Sequence, residues 1–79
     1  NMNTTIEFNV PDYELVTIKI VDLVGRKVVQ LMNKKMESGL HHIKWTGTDN
    51  NDNAITSGVY FVQITAGEFI ATHKVIALK

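Results

Sequence analysis

The sequence has no cysteine. Disulfides, thiolate nucleophiles and zinc–thiolate centres are therefore excluded. This fits a reducing compartment, and equally an export route that makes no use of disulfides. Net charge is also absent, because eight Lys and Arg balance eight Asp and Glu. Without a surplus of either sign there is no field to steer nucleic acid or an anionic membrane toward the chain. The charges are scattered, and the basic doublet Lys34-Lys35 is answered by Glu37. No apolar run approaches the ~20 residues of a membrane-spanning helix. The opening Asn1-Met2-Asn3 lacks the basic and then apolar stretches of a signal peptide. The expectation is a domain excised from a longer secreted protein, with any export signal upstream. With 79 residues there is room for one domain, residues 1–79. A domain of this size buries about 60% of the surface its unfolded chain exposes, and its stability is a few kcal/mol.

What is present is a period of two. Apolar and polar residues alternate strictly through Thr5-Ile6-Glu7-Phe8-Asn9-Val10. Successive strand side chains point to opposite faces, so Ile6, Phe8 and Val10 face a core. Pro11-Asp12 then breaks the strand. In the next run Val16, Ile18 and Ile20 point one way, Thr17 and Lys19 the other. Val24-Gly25 makes a tight turn after Asp22. Arg26 to Met32 reads as a third strand whose apolar phase shifts between Val28 and Leu31, the signature of a bulge. Asn33 to Gly39 is polar and turn-like. Leu40 to Thr46 is a fourth strand with His41, Ile43 and Trp45 on one face, and Gly47 to Asn53 is a polar loop. Ser57-Gly58 opens a fifth strand, Val59 to Thr65, and Ala66-Gly67-Glu68 turns it into a final strand, Phe69 to Leu78. The inward side of that last strand is not assigned by its pattern. Strands at this spacing, without a crossover helix, predict an all-β antiparallel sandwich or barrel.

Candidate chemistry is sparse. Asp49, Asn51 and Asn53 place oxygen ligands at alternate positions, as in the opening of a calcium loop. Ala54 then stands where such a loop needs glycine, and Tyr60 where it needs a bidentate glutamate, so a plain turn is expected. His41 and His42 lie on opposite strand faces and cannot share one ion. His41, on the face of Trp45, needs a hydrogen-bond partner if buried. Ser38 and Ser57 adjoin glycines in turns and lie outside any nucleophile-elbow motif. Trp45, Tyr60 and Phe61 suit either a sugar-stacking platform or core packing, and core packing is expected for Trp45. No catalytic, cofactor or metal residue is assigned, and an enzyme is not expected.

The ordered motifs resemble a known family. Thr5-Ile6-Glu7-Phe8-Asn9-Val10-Pro11 resembles "T-I-x-F-x-L-P", and Val21-Asp22-Leu23-Val24-Gly25-Arg26-Lys27-Val28 resembles "Y-D-x-x-G-R-x-V". Gly39 to Gly47 is similar to "G-x-H-x-x-x-W-D-G", Ser57 to Phe61 to "S-G-V-Y-F", and Lys74 to Lys79 to the closing "K-M-x-L-x-K". Together they resemble the type A C-terminal sorting domain of the type IX (Por) secretion system. That family is related to the immunoglobulin-like domain of flagellar hook-capping proteins. Thr46, Val21 and Val75 depart from its usual aspartate, tyrosine and methionine.

The resemblance implies an immunoglobulin-like sandwich of about six to seven short strands. It implies a signal that takes a fused N-terminal passenger through the periplasm to the cell surface or medium. The partners implied are the outer-membrane translocon and sortase, with no nucleic acid, no membrane insertion and no cofactor. Cleavage is expected in or before Asn1 to Thr5. Gly58, Tyr60, Gly67, Lys74 and Lys79 are the positions linked to recognition, each with a plain alternative: turn or core structure for Gly58, Tyr60 and Gly67, solvation for the two lysines. The alternative function is a structural accessory or adhesion module, a hook-cap-like or fibronectin-like spacer with carbohydrate among its candidate ligands.

Overall fold

The computed structural model describes residues 3–78. Asn1, Met2 and Lys79 fall outside the described residues, so Lys79 and the start of the expected cleavage segment receive no structural account. Six strands follow in chain order: β1 (Thr4–Val10), β2 (Glu14–Val21), β3 (Lys27–Met36), β4 (Gly39–Trp45), β5 (Gly58–Ala66) and β6 (Phe69–Ala77). Every pairing is antiparallel. One sheet has the order β3-β2-β5-β6, and the other holds β1 and β4 alone. The sandwich is elongated, 36 × 23 × 21 Å.

The alternation in the sequence builds the core. Ile6, Phe8 and Val10 of β1 are buried, as are Val16, Ile18 and Ile20 of β2. Tyr60, Val62, Ile64 and Ala66 supply the inward row of β5, and Trp45 closes β4. Fully burying each large aliphatic or aromatic side chain stabilises the fold by about 1.5–3 kcal/mol, against the chain entropy lost on folding. No polar or charged residue is buried among those described. A two-stranded sheet is marginal by itself. Here β1 and β4 persist because their inner face packs on the larger sheet.

Register settles the last strand. Ala77, Val75, His73, Ala71 and Phe69 stand opposite Gly58, Tyr60, Val62, Ile64 and Ala66. Residues directly opposite one another share a face. The odd-numbered positions of β6 are therefore inward, and Ile70, Thr72, Lys74 and Ile76 face out.

The third strand differs from the sequence expectation. Asn33 to Met36 is strand rather than turn, and pairs with Thr17, Val16, Leu15 and Glu14. Its polarity misleads because it extends a hairpin whose outer surface is wet. The pairing partner, not local propensity, sets its conformation. The expected bulge is present and doubled: Ile18 pairs Met32 while Lys19 pairs Gln30, and Ile20 pairs Val29 while Val21 pairs Lys27. Leu31 and Val28 are the extra residues. Each shifts the face phase, which is how Val29 comes to be buried while Val28 and Leu31 are only partly so.

Candidate interaction surface

Between β4 and β5 the chain crosses from one sheet to the other, and the local sequence locks that crossing. The Trp45 indole is 1% exposed and donates from Nε1 to the Thr48 carbonyl at 3.0 Å. The Tyr60 ring meets it edge-on at 5.8 Å, and Tyr60 Oη donates to the Thr56 carbonyl at 2.8 Å. A tyrosine near the start of a strand, bonded back to the corner that precedes it, is the tyrosine corner of immunoglobulin-type sandwiches. Trp45 and Tyr60 are therefore core residues and offer no face for sugar stacking. Phe61 lies on the opposite face of β5, opposite Lys74.

The Asp49–Asn53 loop is a turn built by its own side chains. Asp49 Oδ1 accepts the backbone N–H groups of Asn51 and Asn53, both at 2.9 Å. Asp52 sits at φ 64°, a left-handed conformation that Asp and Asn tolerate. No group of three His, Asp or Glu side chains is placed to hold a metal ion among the described residues. The loop has a use that the sequence did not signal. Asn50 Oδ1 accepts the N–H of Gln30 at 3.3 Å, and Asn50 N–H donates to the Val28 carbonyl at 3.3 Å. Asn50 thereby occupies the hydrogen-bonding edge of β3. Nothing local marks Asn50 for this, because the contact spans 20 residues.

The adjacent histidines part as expected. His41 stacks on Phe8, with ring centroids 5.7 Å apart, and its Nε2 donates to the Glu37 carbonyl at 2.7 Å. His42 points to solvent and meets Glu7 at 2.9 Å. At the β2–β3 turn, Asp22 Oδ1 accepts the N–H groups of Arg26 and Val24 at 2.9 and 3.1 Å. These bonds, that of Arg26 first, hold the Asp22 carboxyl below its ordinary value, and the nearby guanidinium adds to the effect.

Of the recognition-linked positions described, Gly58, Tyr60 and Lys74 share the open end of the β5–β6 hairpin, with Tyr60 inward and Lys74 outward, and Gly67 lies apart from them. Gly58 and Tyr60 begin β5, Gly67 lies in the hairpin at its far end, and Lys74 projects from the outer face of β6. Depressions in the surface are shallow and open. One of about 570 Å³ lies beside the tyrosine corner among Asp22, Arg26, Asp49, Asn50 and Tyr60. Two smaller ones, about 250 and 210 Å³, run along the seam between β1 and β6 and share Glu7 and His73. The surface of the described residues also offers strand edges.

A small antiparallel sandwich with a tyrosine corner belongs to the immunoglobulin-like class. The chain belongs to the FlgD Ig-like domain family, whose model matches residues 1–68. This is not a family of enzymes. Among solved structures the chain is similar to FlgD from P. aeruginosa, with a TM-score of 0.74 and 19% identity. The similarity covers 95% of this chain and 59% of that one, so the chain spans little more than half of the FlgD polypeptide. At that identity the likeness speaks for the fold. No curated protein matches the chain significantly.

Proposed function

We propose that the chain is a structural accessory module of the hook-cap kind. In this reading it is a non-catalytic spacer that presents strand edges and turn surfaces to neighbouring proteins in an extracytoplasmic assembly. The observation that carries this is the distribution of polar groups. Among the described residues the polar and charged side chains lie at the surface, in turns or in edge contacts, and none is buried where its reactivity would be altered. Catalysis draws on such perturbed, sequestered groups, whereas a spacer needs only a stable body and an addressable edge. The family match supports the same reading.

The sorting-signal reading is the second, supported by the order of the motifs quoted above. It is also supported by the position of Lys74 on the outer face of the free edge strand β6. One fusion separates the two. Residues 1–79 are appended to a periplasmic reporter in a host with a type IX apparatus, with and without residues 74–79. The spacer reading expects the reporter to stay in the periplasm in both cases. Release into the medium that depends on residues 74–79 would overturn it in favour of the sorting signal.

A further inference from the structure

Four strands have a free edge, and three are protected. The edge of β3 is occupied by Asn50 at Val28 and Gln30, and the strand carries Lys27, Lys34 and Lys35. The strand β1 has Glu7 at its centre and is followed by Pro11. The strand β4 carries His42 and Lys44 outward and begins at Gly39. Charge, proline and covering loops are the devices by which natural sheets prevent edge-to-edge pairing.

The fourth edge, β6, has neither a proline nor a covering loop among the described residues. It is nine residues long, with Lys74 as its one fixed charge. Phe69, Ile70 and Ile76 are 49, 69 and 58% exposed. A long apolar edge is a template for another strand.

We infer that β6 pairs with β6 of a second copy, antiparallel across a two-fold axis at His73, to join the two four-stranded sheets into one. The strand's own sequence selects that partner and register. Inward residues must meet inward residues, because a slip of one residue exchanges the faces. Only registers differing by two residues therefore remain. Full overlap of Phe69–Ala77 places His73 opposite His73 of the second copy. It sets Thr72 opposite Lys74, Ala71 opposite Val75, and Ile70 opposite Ile76. Both exposed isoleucines are covered, and no lysine opposes a lysine. Moving the axis to Lys74 puts the two lysines face to face, which is unfavourable. Moving it to Thr72 sets Lys74 against Ile70 and shortens the overlap. A self-complementary patch on a two-fold axis is the ordinary form of a homodimer. Contacts burying less than roughly 1,200 Å² are weak and transient, and one edge-to-edge pairing belongs with them. The dimer is accordingly reversible and concentration-dependent.

Sedimentation velocity over a concentration series tests the pairing. The wild-type chain is expected to pass from monomer to dimer. Thr72 is exposed, so its variants leave the fold intact, as matched melting curves will show. Thr72→Lys faces Lys74 twice in the dimer and should weaken association roughly two- to thirtyfold, while Thr72→Glu should strengthen it over a similar range. His73→Cys gives the chain a single cysteine placed against its own counterpart, within the Cα separation of about 4.4–6.8 Å that a disulfide spans, and should cross-link on mild oxidation. Ile76→Cys stands opposite Ile70, far along the strand from its own counterpart, and should not. A wild-type chain that stays monomeric throughout overturns the inference and leaves the β6 edge to a strand of another protein. Dimerisation indifferent to both Thr72 variants overturns it equally, as does cross-linking of the Ile76→Cys variant in place of the His73→Cys variant.

Discussion

Tyr60 and Thr56 are joined by a 2.8 Å hydrogen bond from the phenol to the main-chain carbonyl, four residues back along the chain. The bond fixes the corner at which the polypeptide leaves the small sheet and enters the large one. The same ring packs edge-on against Trp45, whose own N–H is held by Thr48. Two aromatic residues on opposite sheets, each tied to the connecting loop, thus set the spacing of the sandwich at this end.

Removing the phenol tests the corner. Tyr60→Phe keeps the ring and leaves the Thr56 carbonyl without its partner, at a cost of about 1–2 kcal/mol. Trp45→Ala removes a fully buried side chain and should cost about 3–5 kcal/mol. That loss is comparable to the whole stability of so small a domain. Urea unfolding should show a shifted midpoint for the first variant and an unfolded chain without denaturant for the second. A Trp45→Ala melting curve matching the wild type would mean that the indole is not the core residue its burial indicates.

Much of this was legible in the residues. Strict alternation in Thr5 to Val10 and Val16 to Ile20 located the inward faces, since a period of two has one structural reading. The phase shift between Val28 and Leu31 announced a bulge, and the structure has two. What escaped was set by partners distant in sequence. Asn33 to Met36 is strand because Glu14 to Thr17 lies beside it, and its polar composition carries no sign of that. The inward side of β6 was hidden because an edge strand at the rim of a sandwich is apolar on both faces, so only its register with β5 assigns them. The recognition-linked residues Gly58, Tyr60, Gly67 and Lys74 came from resemblance alone, and the fold sets Gly67 at the hairpin turn and the other three near its open end.

Gly67 offers a test of backbone against contact. It occupies the β5–β6 turn at φ 62°, a region costly for residues with a side chain. An added Cβ would also lie 2.5 Å from Glu14 Oε2. The carboxylate is the free end of a flexible side chain and can rotate away, so the backbone is the larger obstacle. Gly67→Ala should cost about 1–2 kcal/mol and Gly67→Asn less, because asparagine tolerates this conformation. The loss should persist in the double variant with Glu14→Ala. Recovery of stability in that double variant, read by thermal unfolding, would assign the effect to the contact instead.

Asp22 should give the fold a pH dependence at the acid end. Its carboxyl is held below the ordinary value of 3.8, chiefly by the Arg26 N–H. A group depressed in the folded state contributes stability above its unfolded pKa, and that contribution is lost as pH falls through the folded value. Stability should therefore decline as pH is lowered from about 3.8 toward the folded pKa, and Asp22→Asn should flatten that part of the profile. Denaturant midpoints over a series of acidic buffers would reveal it. Equal slopes for both proteins would show that the turn carboxylate is not linked to folding.

Asn50 is the residue whose role is most local and most open to direct measurement. Its side-chain oxygen accepts from Gln30 N–H, and its own N–H reaches the Val28 carbonyl. Asn50→Ala keeps the second bond and deletes the first. The Gln30 amide, pointing away from β2, would then face water. Amide exchange at Gln30 should accelerate, while exchange at Val62 and Ile64 in the central strand stays at the rate of global unfolding. The exposed bond carries about 0.5–1.5 kcal/mol at most, so the melting temperature should move little. The partly uncovered edge has a second effect. A β3 held by the loop only at Val28 still bears Lys27, Lys34 and Lys35, and their charge should keep the variant from aggregating through that strand. Asn50→Ala combined with glutamine at the three lysines weakens the loop cover and removes the charge. The combined variant, and not Asn50→Ala alone, should gain β-rich aggregates by light scattering and thioflavin fluorescence. Aggregation of the single variant at the same rate would show that the asparagine, rather than the lysines, is the principal guard of this edge.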